Sequence, residues 1–192
     1  MLIPGKQYGV SLIELMIGIV IVSLLMVMGV PSFSLWMQNT QTRSTAESIL
    51  NGLQIARTEA VRRNTQVRFN LTDATGTGIW TVGCVNVTAD CPAGIQSHGA
   101  GEGGSNARAG IAVALGALGT PLAAGTALPA GVTFDGLGRV PSANVGTDIA
   151  RVDITNAVNA AVRRMVILIG TGGQTRMCDP ALALDDNPQG CA

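Results

Sequence analysis

The chain has 192 residues, room for one globular domain with an N-terminal appendage. Charged residues make up only 12%, and 12 Lys+Arg balance 12 Asp+Glu, so no global charge draws the chain toward nucleic acid or an anionic membrane surface. Aromatics at 3% leave the core to Val, Ile, Leu, Ala and Met, and the glycines gathered between residues 99 and 138 predict long, mobile connections there.

Residues 1–9, MLIPGKQYG, hold one Pro, two Gly and one Lys. From Val10 to Val30 the chain is almost wholly apolar, VSLIELMIGIVIVSLLMVMGV, and 21 residues are enough to cross a hydrocarbon layer as a helix. A secretory signal peptide would have a shorter apolar stretch and an A-x-A-like site beyond it, whereas PSFSLWMQ follows here. A plain anchor leaves Glu14 unexplained, because an ionised acid within lipid costs on the order of 2–4 kcal/mol and marks function or a partner. Pro31 closes the apolar run, where its ring removes a helix donor and crowds the preceding turn.

Gly9-Val10-Ser11-Leu12-Ile13-Glu14-Leu15 resembles the processing motif of type IV prepilins and type II secretion pseudopilins. The resemblance implies a cut between Gly9 and Val10 by the prepilin peptidase at the cytoplasmic face, followed by methylation of the new amine at Val10. Glu14 then matches the family's acid at the fifth mature position, which pairs with a neighbouring subunit's terminal amine on entry into the filament. Two opposite charges tolerate an apolar surround only when paired. Relatives commonly carry Phe where this chain has Val10. A Pro at the place of Pro31 lies, in this family, inside a long helix.

Beyond Pro31, Ala46, Ile49, Leu50, Leu53, Ala56 and Ala60 recur at steps of three and four, with Arg43, Glu47, Arg57, Glu59, Arg62 and Arg63 between them. The spacing predicts an amphipathic helix laid on a sheet and ending near Arg63; Glu59 and Arg63 have the favourable acid-first spacing of four. Residues 53–69, LQIARTEAVRRNTQVRF, resemble the GspH/FimT branch through Ala56, Arg57, Glu59, Ala60, Arg62 and Arg63.

Strands are then expected where apolar residues alternate: Val67, Phe69 and Leu71, followed by turn chemistry in DATGTG and a returning strand over Ile79–Val85 with Trp80, Val82 and Cys84 on one face. Between 93 and 131 one apolar element is expected near Ile111–Leu118. Further strands are expected from Val132, over Ile149–Ile154, over Val162–Ile169 and over Thr175–Cys178, with GLGRV (136–140) and GTGG (170–173) as turns. One long helix followed by hairpin-connected strands predicts an α+β fold, helix on antiparallel sheet, and the family resemblance implies the same.

Cys84, Cys91, Cys178 and Cys191 fall as two local pairs. Four cysteines allow three connectivities and sequence alone does not choose among them, but two short disulfide loops in an oxidising compartment are the expectation. Neither spacing is CxxC and the single histidine, His98, lies in the Gly-rich stretch, so neither a zinc site nor a cofactor is expected. No Ser-His-Asp or Cys-His set can be assembled, GTGG lacks the GK[ST] ending of a phosphate loop, and no enzymatic activity is expected. Asp185 and Asp186 read as solvated turn residues.

The tail GTGGQTRMCDP resembles the C-terminal motif of FimT-like minor pilins, roughly G-R-x-R-x-C-D-P, through Arg176, Cys178, Asp179 and Pro180. In some FimT proteins the arginine pair contacts DNA, which makes Arg176 the candidate DNA contact; Gln174 stands where the first arginine would be, one phosphate contact fewer. The organisation expected is a leader over 1–9, a transmembrane or filament-core helix over 10–36, and a periplasmic globular domain over 37–192. The resemblance implies a minor pilin that is inserted in the inner membrane and helps initiate pilus assembly. A GspH-type pseudopilin of type II secretion and a DNA-binding minor pilin are the alternatives. Its implied partners are other minor and major pilins, the prepilin peptidase, the inner-membrane assembly machinery and, in the last alternative, DNA.

Overall fold

The computed structural model describes residues 9–99 and 104–191, with the side chains of 28–31 excepted. The leader up to Tyr8 therefore lies outside the described residues, as do 100–103 of the Gly-rich stretch. The chain divides into two compact units, one up to Met37 and one from Gln38 onward. A helix, α1 (Leu12–Arg63), begins in the first and ends in the second, and its backbone is helical through Gly29 and Pro31.

From Leu12 to Val27 α1 is apolar apart from Glu14 and Ser23. No large apolar side chain from Val10 to Val27 is less than half exposed. With the side chains of 28–31 undescribed, no single described helix is long and apolar enough to cross a membrane; Leu12–Val27 and Ser32–Arg63 meet that requirement together, by length and composition.

In the second unit the expected stripe faces the core: Ala46, Ile49, Leu53, Ala56 and Ala60 are fully covered and Leu50 is partly buried against them. The helix stops just after Arg63, where Asn64 takes a positive φ of 48° and the Thr65 N–H bonds back to the Ala60 carbonyl. Eight strands follow: β1 (Val67–Leu71), β2 (Trp80–Cys84), β3 (Gln96–His98), β4 (Ala107–Ala112), β5 (Ala130–Phe134), β6 (Arg151–Asn156), β7 (Met165–Ile169) and β8 (Thr175–Cys178). They form two four-stranded antiparallel sheets, ordered β3-β2-β1-β5 and β4-β6-β7-β8. The fold is α+β, with two sheets where the sequence suggested one.

Both sheets contribute to one core. Val67, Phe69, Leu71, Trp80, Val82, Val132 and Phe134 come from the first, and Ala109, Ile111, Val152, Ile154, Ile167 and Ile169 from the second. At the centre the Phe69 and Trp80 rings lie 5.8 Å apart, and the Trp80 Nε1–H donates to Ser48 Oγ on α1 at 3.0 Å. Gly52 lets the helix come this close, since a Cβ there would lie 2.7 Å from the Phe69 ring and 2.9 Å from that of Trp80. His98, at the edge of the first sheet, stacks on the other side of Trp80 at 5.7 Å.

Four readings of the strands need correction. The apolar element foreseen at Ile111–Leu118 is β4, which begins at Ala107 and ends at Ala112; the chain beyond leaves the sheet to fold over its outer face. The short β3 was not foreseen, because Gln96, Ser97 and His98 carry no apolar alternation. The strand foreseen from Val162 begins only at Met165, because Val162 belongs to a turn closed by Asn159 and the next two residues, Arg163 and Arg164, reach out to acids on other segments. Ile149, foreseen as the start of β6, instead links the sheets. Its N–H bonds the Gly131 carbonyl on β5, and the next N–H, of Ala150, bonds Ala112 at the end of β4.

Candidate processing and assembly site

The N-terminal segment is arranged in three steps. Gly9, Val10 and Ser11 lie outside the helix, α1 starts at Leu12, and Glu14 sits in the first turn. The Ser11 carbonyl accepts the Leu15 N–H at 3.2 Å, and the Ser11 hydroxyl accepts the Glu14 N–H at 3.3 Å. Ser11 is thus the helix N-cap, and Ser-Leu-Ile-Glu has the S-x-x-E spacing of a capping box. That spacing was present in the sequence, although Ser11 did not stand out there beside Gly9 and Glu14. Glu14 also places its negative charge at the positive end of the helix dipole. It is exposed and is the only ionisable side chain between Gly9 and Pro31. Gly9, Val10 and Glu14 thus lie on one short, exposed stretch with a non-helical peptide bond ahead of an apolar helix.

The cysteines form the two local bridges, Cys84–Cys91 and Cys178–Cys191, closing seven- and thirteen-residue separations. The first ends β2 and ties down the loop that Arg63 also holds, through a hydrogen bond to the Asp90 carbonyl. The second ties the C-terminal loop to the end of β8, where Cys178, Cys191 and Val166 form a small apolar cluster on the outer face of the second sheet, flanked by Leu118 and Leu168.

Of the RMCDP ending, Arg176, Cys178 and Asp179 serve this C-terminal clasp, while Met177 packs against the main core. Arg176 donates through Nη2 to the carbonyls of Pro188 and Gly190. Asp179 is nearly fully buried; its Oδ2 meets Arg163 Nη2 at 2.6 Å, its Oδ1 accepts the Ala181 N–H at 2.9 Å, and its own N–H bonds the Gln189 carbonyl. Arg176, the candidate DNA contact, is thus engaged by the protein itself, as is Arg163, whose side chain stays 59% exposed. Gln174 is exposed in the turn before β8, and Asp185 and Asp186 are exposed in the loop the disulfide closes.

Sequence reasoning also missed two buried polar clusters that hold the connections. Asp153 on β6 accepts from Arg151 and Arg164 and from the Leu122 N–H, while the two guanidinium groups bond the carbonyls of Leu115, Ala117, Leu118 and Thr120. With the Gly119 carbonyl, also bonded by Arg164, the Ala-rich segment expected to be mobile is therefore fastened at six of its peptide groups. Asp148 likewise joins Arg68 on β1, the Thr133 N–H on β5 and Asn144 of a single 3-10 turn, Ser142–Asn144.

Comparison with known proteins bears on both units. Residues 45–173 match the family model described as type II transport protein GspH, and residues 4–30 match that of the prokaryotic N-terminal methylation motif. No curated protein matches the chain. Among solved structures, the type IV minor pilin FimU of Pseudomonas aeruginosa is similar in two crystal forms. One has a TM-score of 0.51 at 17% identity, covering 77% of this chain and 96% of that one; the other has 0.48 at 18%, covering 73% and 95%. The first of these likenesses shows the shared fold. Helix, sheets and the two family matches agree, and the chain belongs to the GspH family of type IV pilin-like proteins, with the N-terminal methylation motif ahead of the family's domain.

Proposed function

We propose that the chain is a minor type IV pilin, a structural subunit that is cut after Gly9, methylated on Val10 and assembled through α1. The observation that carries this is the uncovered helix: an almost wholly apolar surface from Val10 to Val27 with Glu14 as its one charged side chain, next to a non-helical Gly9–Val10 bond. Such a surface is stable only in lipid or against other apolar helices. Before assembly it holds the subunit in the inner membrane with its domain in the periplasm, where the two disulfides form. On entry into the fibre, Glu14 pairs with the terminal amine of a neighbouring subunit, which offsets the burial of both charges. Placement near the fibre tip, in a complex that initiates assembly, is part of the proposal.

Substitution of Gly9 by Val should leave a longer, unmethylated species in cells that contain the peptidase, read by mass spectrometry of the intact chain. A wild-type chain that keeps the mass of all 192 residues in the presence of the peptidase would overturn the processing step. Glu14→Val should preserve membrane insertion and sharply reduce recovery in sheared fibres; undiminished recovery would overturn the pairing.

A pseudopilin of type II secretion is the second reading, favoured by the description of the matched family. The two bridged cysteine pairs and the Arg176–Pro180 ending support the pilus side. Co-purification with pilus subunits or with secretion components, after cross-linking in cells, separates the two.

A further inference from the structure

Ser11 takes no part in the chemistry just described, yet it decides where α1 begins. Its hydroxyl and its carbonyl hold the N–H groups of Glu14 and Leu15, and the helix accordingly starts at Leu12. Two residues, Val10 and Ser11, therefore separate the Gly9–Val10 bond from the first helical residue. Peptide-cleaving enzymes take their substrate as exposed, extended backbone, because a helical backbone has its hydrogen-bonding groups occupied and its peptide bonds turned along the axis.

The alternatives to Ser11 as cap are unequal. Ala and Val cap poorly, whereas Gly caps about as well as Thr. Without the Ser11 hydroxyl, the best cap nearby on the N-terminal side is Gly9 itself. A helix started at Gly9 would have Val10 as its first residue and would draw the scissile bond into the capping turn. We infer that Ser11 is a positioning residue for processing: by capping α1 it keeps the Gly9–Val10 bond outside the helix and open to the peptidase. The inference rests on cleavage after Gly9.

The test uses the full-length chain in membrane vesicles containing the prepilin peptidase, with cleavage followed over time by mass spectrometry. Ser11→Ala should slow cleavage about three- to ten-fold, the shift in a local equilibrium that loss of a cap brings. Ser11→Thr and Ser11→Asn, which retain a capping oxygen, should stay close to the wild-type rate. Hydrogen exchange of the same chain in detergent, labelled with 15N-glutamate, reports the cap directly: with four glutamates in the sequence, the Glu14 amide is readily assigned. Its exchange should change in Ser11→Ala and not in Ser11→Asn.

Wild-type cleavage of Ser11→Ala would overturn the inference. So would equal slowing in Ala and Asn variants, which would mean that the enzyme reads the hydroxyl rather than the helix start. If the wild-type chain is not cut after Gly9 at all, the processing step fails and the positioning role falls with it. An altered Glu14 exchange in Ser11→Ala would then still show Ser11 as a cap with no enzyme to serve.

Discussion

Asp153 follows Arg151 by two residues on β6, on the same face, and the two side chains meet in a double hydrogen bond, Nε to Oδ1 at 2.6 Å and Nη2 to Oδ2 at 2.8 Å. Their side chains are 0% and 3% exposed, and Arg164 completes a triad at 15%. The inward residues of the same strand, Val152 and Ile154, belong to the main core, so β6 is buried on both faces, apolar on one and ionic on the other.

Breaking this triad leaves two cations without their shared acid. Asp153→Asn should destabilise the globular unit by roughly 3–5 kcal/mol, the cost of stranding a buried partner, measured by urea unfolding monitored by circular dichroism. Limited proteolysis should show new cleavage between Val113 and Leu122, because the carbonyls of that segment are held by the same two arginines. Unchanged stability together with an uncut segment would mean that the triad contributes nothing.

The two disulfides should differ in effect. By restriction of the unfolded chain, the thirteen-residue separation of Cys178–Cys191 is worth about 3 kcal/mol and the seven-residue one of Cys84–Cys91 about 2.5 kcal/mol. Paired Cys→Ser variants measured under oxidising conditions check both values. Loss of Cys178–Cys191 should in addition loosen the C-terminal loop, seen as faster exchange of the Asp179 and Gly190 amides, which this loop encloses.

Gly52→Ala sets helix propensity against packing. Within an exposed helix the change would stabilise by about 1 kcal/mol. Here the added Cβ meets two ring systems that are themselves buried, and overpacking of this kind costs about 1–3 kcal/mol. The net expectation is a domain destabilised by up to about 2 kcal/mol, with a shifted tryptophan emission because Trp80 must give way; a stabilised variant with unchanged emission would refute it.

Asp73 gives the β1–β2 turn a dependence on acid. Hydrogen bonds from the Thr75 hydroxyl, then from the N–H and hydroxyl of Thr77, hold its carboxyl well below the usual carboxylate range. A group depressed in the folded state contributes stability that is fully present above its unfolded value, about 4, and is lost as pH falls through the lower folded value. Glu59 is depressed too, first by its bond from Arg62 and then by that from Arg63. Stability measured from pH 5 downward should therefore fall less steeply in Asp73→Asn than in wild type. Parallel slopes would show that the turn does not couple to pH.

Much of the local structure was legible in order along the chain. The three- and four-residue steps of Ala46 to Ala60, the alternation of Val67, Phe69 and Leu71, and the glycines of the turns before β6 and β8 all express preferences that neighbouring residues set among themselves. The end of α1 near Arg63 and the whole of β8 were read to the residue or nearly so. The buried polar work was not legible. Arg151, Asp153 and Arg164 look like ordinary surface charges in the sequence, and only the crossing of the chain over the second sheet brings carbonyls from 115–120 within their reach.

Sequence alone therefore sufficed for the apolar start of α1, the match to the methylation motif, the amphipathic part of α1 and most of the strands, since each depends on contacts within a few residues or on a short linear motif. The division into two sheets, the fastening of the Ala-rich segment and the use of Arg176 and Asp179 as a C-terminal clasp were settled by the three-dimensional fold. A buried charge is stable only with a partner, and that partner comes from a distant part of the chain, which no local periodicity encodes.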